Sequence, residues 1–253
     1  MNREDPFWDA TLAFLRRELP KPPATILEVG CGRGVVASEL ARLGYTVTPI
    51  DPDQRAVASA RRRGAPAVRS DILSYDGGPF DACVCVYSLH HIHPLRAAVQ
   101  RVQSLLKPGG RLLVNDYAWE EADEPTAAWL YDFLGAFVGA GIARARWGLP
   151  RTTQSPLEFW RNQHNGRSGE RENPGRTMTQ VVRSTFGSLR IERAPYLYAA
   201  VAGHIAGARR GAIARYLLGV EERQIREGSL RPLGLQMISR ALSSTRAVEG
   251  GPR

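Results

Sequence analysis

The stretch from Thr25 to Leu43 constrains the fold most. A short apolar run, TILEV, breaks into Gly30-Cys31-Gly32-Arg33-Gly34, and the chain resumes as the amphipathic GVVASELARL before Gly44. A buried strand that turns through glycines straight into a helix is half of a βαβ unit. The alternation then continues. Residues 46–50 (TVTPI) read as a strand in which Pro49 lacks a donor, 53–63 as a helix, and 66–69 as a short strand. Residues 80–87 (FDACVCVY) form the most apolar strand, 94–106 a helix, Lys107-Pro108-Gly109-Gly110 a turn, and 111–117 (RLLVNDY) another strand. Strands and helices at this spacing imply right-handed crossovers and a parallel sheet with helices on both faces.

The second half has a different texture. Residues 125–143 and 155–162 read as helices, and 164–176 (HNGRSGERENPGR) as a polar, glycine-bearing mobile loop. A helix over 177–186, a strand over 188–198, a helical stretch over 204–227 and a strand over 232–242 complete the expected order. The tail 243–253 has no periodicity and is expected to be disordered. With no repeat and no linker, residues 1–253 are expected to form a single domain.

Composition sets the compartment and the partners. No run of eighteen apolar residues is present, and the first residues, Met1-Asn2-Arg3-Glu4-Asp5-Pro6, are charged rather than apolar. A cytoplasmic protein without a membrane partner is expected. The net charge of +9 raises nucleic acid as a partner. The arginines are scattered, however, and the one tight run, Arg61-Arg62-Arg63, sits at a helix end, where cations complement the dipole. Nucleic acid is therefore not the expected partner; a small-molecule substrate is, with the protein a monomer or homodimer. Cys31, Cys83 and Cys85 contain no C-x-x-C pair and read as buried free thiols.

The glycine spacing selects the ligand. In a dinucleotide fingerprint counted from Gly30 the third glycine would fall on Val35; here it falls on Gly34, and an acid, Glu28, precedes the first glycine by two. Asp51 closes the second strand, where a carboxylate can take both hydroxyls of a ribose or simply cap the helix beginning near Pro52. Acidic-x-G-x-G-x-G resembles motif I of the class I S-adenosylmethionine-dependent methyltransferases. Ser70-Asp71-Ile72 after the third strand, Phe80-Asp81 opening the fourth, and Leu106-Lys107-Pro108-Gly109-Gly110-Arg111-Leu112 before the fifth resemble further landmarks of that family.

The resemblance implies a Rossmann-like, seven-stranded, mostly parallel sheet with helices on both faces, closed by an antiparallel last strand. It implies a cofactor-binding core over 24–117 and a helical substrate lid over 118–178. It also implies S-adenosyl-L-methionine as the cofactor. Gly30, Cys31, Gly32 and Gly34 would pass its amino-acid end, with Glu28 orienting the ammonium. Asp51 and Pro52 would meet the ribose, Asp71 and Ile72 the adenine, and Tyr87 the wall of the same site.

Candidates for chemistry cluster after the fourth strand, in Tyr87-Ser88-Leu89-His90-His91-Ile92-His93. Strand carboxyl ends border the ligand crevice of an open α/β sheet. An imidazole there is suited to taking a hydroxyl proton. Some small-molecule O-methyltransferases of the family are similar here, which implies His90 or His91, with Asp116 after the fifth strand, as the catalytic group; the bland alternative is that the histidines cap a helix and floor the pocket. His90, His91 and His93 on one turn do not converge on a tetrahedral ion, so no metal is expected. Trp119, Trp129, Tyr131, Phe133, Phe137 and Trp147 either line an acceptor pocket or form helix core. The function expected is methyl transfer to a small molecule, to oxygen first and to nitrogen or carbon otherwise. The alternatives are a non-methyl reaction such as cyclisation on the same fold, or methylation of RNA or protein.

Overall fold

A computed structural model describes residues 6–144, 153–164 and 171–242. The 243–253 tail, Trp147 and much of the 164–176 loop lie outside them. The chain opens with α1 (Pro6–Glu18), then alternates β1 (Thr25–Val29), α2 (Val35–Arg42), β2 (Thr46–Asp51), α3 (Gln54–Arg62), β3 (Val68–Arg69), β4 (Phe80–Val86), α4 (Leu95–Ser104) and β5 (Leu106–Tyr117). After these come α5 (Glu124–Gly139), α6 (Pro156–His164), α7 (Gly175–Phe186), β6 (Arg190–Ala194), α8 (Leu197–Ala202), α9 (Arg210–Arg226) and β7 (Gly234–Arg240). The strands form one seven-stranded sheet in the order β3-β2-β1-β4-β5-β7-β6. Pairs β3–β2, β2–β1, β1–β4 and β4–β5 are parallel. Hydrogen bonds from Ala118 N to Leu233 O and from Ala241 N to Gly110 O run in opposite senses along β5 and β7, so β7 is antiparallel. This is the Rossmann-like sheet expected.

Four elements depart from the sequence reading. The helix α1 was not expected, yet Leu12, Phe14 and Leu15 give it an apolar stripe that is buried. The strand expected over 188–198 ends at Ala194, because Pro195 has no amide to donate to a ladder and the next residues begin α8. The helical stretch expected over 204–227 is only α9, which starts at Arg210, three residues after Gly207 at φ +86°. Finally, β5 starts at Leu106, five residues earlier than expected; its Lys107–Gly110 turn is absorbed as an irregularity in the β4–β5 register.

The described residues cluster in two compact units. One comprises Leu15–Asp116, Arg176–Ile191 and the chain from Gln236. Its centre is β1 and β4, whose side chains are almost wholly buried, Cys83 and Cys85 among them as free thiols. A buried parallel strand needs apolar side chains on both faces, which is why FDACVCV reads as a continuous run. Gln103 Nε2 to Thr185 O (2.8 Å) ties α4 to α7 within this unit.

The other unit comprises the chain up to Phe14, Tyr117–Gly175 and Glu192–Leu235. Trp160, fully buried, donates its indole N–H to Trp119 O at 2.7 Å, and Tyr117 stacks on Tyr196 with centroids 4.2 Å apart. Trp129, Phe133 and Phe137 contact one another along α5, consistent with the helix-core alternative. A single carboxylate, Glu221 of α9, accepts the backbone N–H groups of Tyr196, Leu197 and Tyr198 at 2.7, 3.0 and 2.8 Å and so caps α8. No helix among the described residues is long and apolar enough to cross a membrane.

Candidate functional site

The site begins where β1 runs out. Gly30 N and Cys31 N both donate to Ile50 O of β2, at 2.9 and 3.0 Å, so the chain leaves the sheet tethered to its neighbour. Gly30, Gly32 and Gly34 then take φ of +73°, +52° and +71°, the left-handed region that favours glycine. Space separates their tasks. A Cβ on Gly30 would lie 2.5 Å from the Ser88 Cβ, and one on Gly34 2.7 Å from the Ala60 Cβ, whereas one on Gly32 would meet nothing within 4 Å. The outer two glycines let the loop seat on its neighbours; the middle one faces open space.

That space is part of a cavity of about 390 Å³, within the range of small-molecule sites. Gly30 and Gly32 form one wall, and Asp51 and Pro52 the end of β2. Asp71 and Ile72 bound the far side, and Tyr87 and His91 line the β4 edge. Val29 and Ile50 near the strand ends, with Ser70, Ser88, Ile92 and His93, also line it and were not among the expected site residues. Apolar residues at the ends of buried strands look like any others in sequence. Ser88 carries only the signal that it follows a strand; its hydroxyl is committed to Val29 O at 2.7 Å.

Each carboxylate is placed differently. Asp51, nearly buried, accepts Gly32 N–H on Oδ2 (2.8 Å) and Asp53 N–H on Oδ1 (2.9 Å). It holds the glycine loop and does not cap α3; Asp53 does that, accepting Arg55 N–H. Asp71 organises its own turn, taking the amides of Leu73 and Ser74 and the Ser74 hydroxyl. The Ser74 amide and hydroxyl hold its pKa below the ordinary carboxylate value. Glu28 lies behind the loop, 2% exposed, and does not line the cavity. Its Oε2 has no hydrogen-bond partner among the described residues, and burial raises its pKa to about 8. Cys31 and Gly34 are likewise behind the wall, and burial pushes the Cys31 thiol up to about 12, which makes it inert as a nucleophile.

At the end of β4, Tyr87 has φ +49°, the one left-handed non-glycine among the described residues. Strain of this kind collects at functional sites. Its amide donates to Asn115 O (2.8 Å), which pins the turn to β5. The chain then closes a 3-10 turn, Leu89–His91, that separates the two histidines. His90 is buried and its Nδ1 lies 2.7 Å from Asp116 Oδ1, while Oδ2 of the same carboxylate takes the His90 amide at 3.3 Å. Asp116 is 0% exposed. His91 packs beside it, centroids 4.0 Å apart, and lines the cavity with one edge exposed. Desolvation of its packed side, with a like charge from His90, lowers its pKa to about 4. Asp116 thus pairs with His90 and not with His91.

A family model described as a methyltransferase domain matches residues 2–139. The chain belongs to that family. The cofactor of these methyltransferases is S-adenosyl-L-methionine. The ubiquinone biosynthesis O-methyltransferase of Xylella fastidiosa (strain 9a5c) is 35% identical over 113 residues, 41% of this chain and 46% of that protein. The Xanthomonas oryzae pv. oryzae (strain PXO99A) protein of the same name is 34% identical over 158 residues, 58% and 61% of the two chains. The methyltransferase chain thus spans about half the length of the curated relatives it matches. Among solved structures, the (4+2)-cyclase SpnF superposes with a TM-score of 0.55 at 19% identity, over 93% of this chain and 81% of that one. An S-adenosylmethionine-dependent methyltransferase from Mesorhizobium loti gives 0.53 at 20%, over 92% and 96%. At these identities the structures support the fold alone.

The residues of this methyltransferase chain fit the cofactor. The open space over Gly32, the orphaned buried oxygen of Glu28 and the Asp51 carboxylate at the end of β2 provide room and acids for a cationic amino-acid end and a ribose.

Proposed function

We propose that the protein transfers a methyl group to a hydroxyl oxygen of a small molecule, with His90 as the general base and Asp116 as its positioning residue. The observation that carries this is the buried His90 Nδ1–Asp116 Oδ1 contact of 2.7 Å. A carboxylate on Nδ1 fixes the tautomer with the proton there, so proton uptake falls to Nε2. His91 lines the cavity, but a group of pKa about 4 is a weak base at neutral pH. We therefore read it as wall and hydrogen-bond acceptor.

S-adenosyl-L-methionine supplies the electrophilic methyl carbon when bound. Gly30 and Gly32 would lie along its amino-acid end, Asp51 at its ribose, and Asp71 and Ile72 at its adenine. The chain's own work is to hold acceptor and methyl carbon at attack distance and to remove the acceptor's proton as its oxygen bonds to carbon. The relatives named as O-methyltransferases support oxygen as the acceptor atom. Three free buried cysteines support a reducing compartment as its place.

A screen of phenols, alcohols and amines for a mass gain of one methylene identifies an acceptor. On that acceptor, His90→Ala should lower kcat by ~10²–10⁴-fold while affinity for S-adenosylhomocysteine is kept. Asp116→Asn should lower kcat and displace the acidic limb of the pH profile. If His90→Ala keeps near-normal kcat, no base operates there, and an amine acceptor becomes the better reading.

A further inference from the structure

Two carboxyl groups flank the glycine loop: Glu28 behind it and Asp51 at the end of β2. Asp51 has two backbone N–H donors to support a negative charge. Glu28 is less well supplied. The Ala37 amide of α2 favours its ionised form, but Oε2 has no partner. Of the groups around it, Asp51 from β2 disfavours its charge and the Cys31 thiol of the loop is neutral. On the β4 side the Ser88 hydroxyl is spent on Val29 O. No cation acts on Glu28 among the described residues. An uncompensated buried carboxylate is strongly disfavoured, and a protein avoids it by keeping the proton on.

We propose that Glu28 holds a proton in the ligand-free protein and releases it when an ammonium-bearing ligand enters the cavity beside Gly30 and Gly32. This rests on the reading that the cavity takes S-adenosyl-L-methionine. The balance is simple: the Glu28 O–H bond breaks, its proton goes to solvent, and the carboxylate left behind is compensated by the ligand's ammonium. Direct contact is not required, because a positive charge within a few ångströms in a low-dielectric wall already favours the ionised acid. The raised pKa of about 8 agrees with this order of events.

The probe is S-adenosylhomocysteine, which keeps the ammonium and the ribose. Calorimetric titration at pH 7 in phosphate and in Tris reads proton release as the difference in apparent enthalpy. Glu28 should release about 0.9 proton per ligand at this pH; an α-amino group of ordinary pKa takes up about 0.1, leaving ~0.8. Kd should fall up to about tenfold per pH unit from pH 6 towards 8 and rise again above, as the ligand's own amino group loses its proton. Glu28→Gln should bind more weakly, with only the ligand's own uptake of about 0.1 proton separating the two buffers and without the fall in Kd from pH 6 to 8. An infrared difference spectrum of the wild-type protein should lose a protonated-carboxyl band on ligand binding, which tests the idea even if Glu28→Gln fails to fold. Tight binding of the probe with no buffer dependence overturns the proton linkage and leaves the cofactor assignment standing. The same release from Glu28→Gln assigns the proton to another group and overturns it as well. Failure of the probe to bind at all removes the cofactor reading and this inference with it.

Discussion

Replacing Asp51 should have two separable consequences, because its carboxylate holds the glycine loop and is proposed to meet the cofactor's ribose. Within the protein it accepts Gly32 N–H at 2.8 Å and Asp53 N–H at 2.9 Å from a nearly buried position. A hydrogen bond to a charged group contributes about 1.5–3 kcal/mol, and a buried donor left unpaired costs about 1–3 kcal/mol. Asp51→Ala should therefore lower stability by roughly 2–4 kcal/mol; the two bonds share one carboxylate, so their losses do not simply add. Asp51→Asn keeps one acceptor and should lose about half as much. If Asp51 meets the ribose as proposed, both variants should also weaken cofactor binding by about 1.5–3 kcal/mol, or roughly ten- to a hundredfold in Kd. Urea unfolding reads the first effect, and calorimetry with S-adenosylhomocysteine reads the second. An unchanged Kd in Asp51→Asn would remove Asp51 from the ribose site. Unchanged unfolding in Asp51→Ala would mean that these two bonds do not hold the loop.

The loop glycines should respond according to the space around them. Gly30→Ala meets Ser88 at 2.5 Å in a left-handed conformation and should cost roughly 2–5 kcal/mol in urea unfolding, whereas Gly32→Ala carries only the ~1–2 kcal/mol of backbone strain and should lose cofactor affinity more than stability; equal unfolding of the two would contradict this. Glu221, buried under α8 with its pKa raised to about 7 by desolvation, binds protons more tightly folded than unfolded, so the stability it contributes is full below about pH 4.5 and is lost as pH rises through 7. Glu221→Gln lacks this slope, and its stability relative to wild type should improve by up to about 3 kcal/mol between pH 4.5 and 8; a constant difference would show that the carboxyl does not titrate there.

What the sequence disclosed about the fold was the part governed by local pattern. TILEV, FDACVCV and the amphipathic stretches between them declare themselves because a parallel strand buried on both faces admits few polar residues. The end of β6 at Ala194 is harder to see. It depends on Pro195 and on Glu221, twenty-seven positions beyond β6, whose carboxylate repays the amides that α8 leaves open. The division into two units is hidden for the same reason, since each is assembled from three separated stretches of the chain.

At the site the same distinction holds. Gly30, Gly32, Asp51 and Asp71 belong to spacings fixed by one strand and the turn after it, so their approach to one cavity follows from the order of the strands. The histidines do not work that way. His90 and His91 are equivalent in sequence, both adjacent to the strand end and both within reach of Asp116. A 3-10 turn settles the matter: its tight rise turns one ring inward to the carboxylate and leaves the next at the cavity wall. The consequence is chemical. The buried ring gains a proton-holding partner at Nδ1, and the neighbouring ring, desolvated and facing a like charge, drops to a pKa of about 4. Two identical side chains thereby stand in different surroundings, one against a buried carboxylate and the other at the cavity wall, and the proposed division of roles rests on that difference.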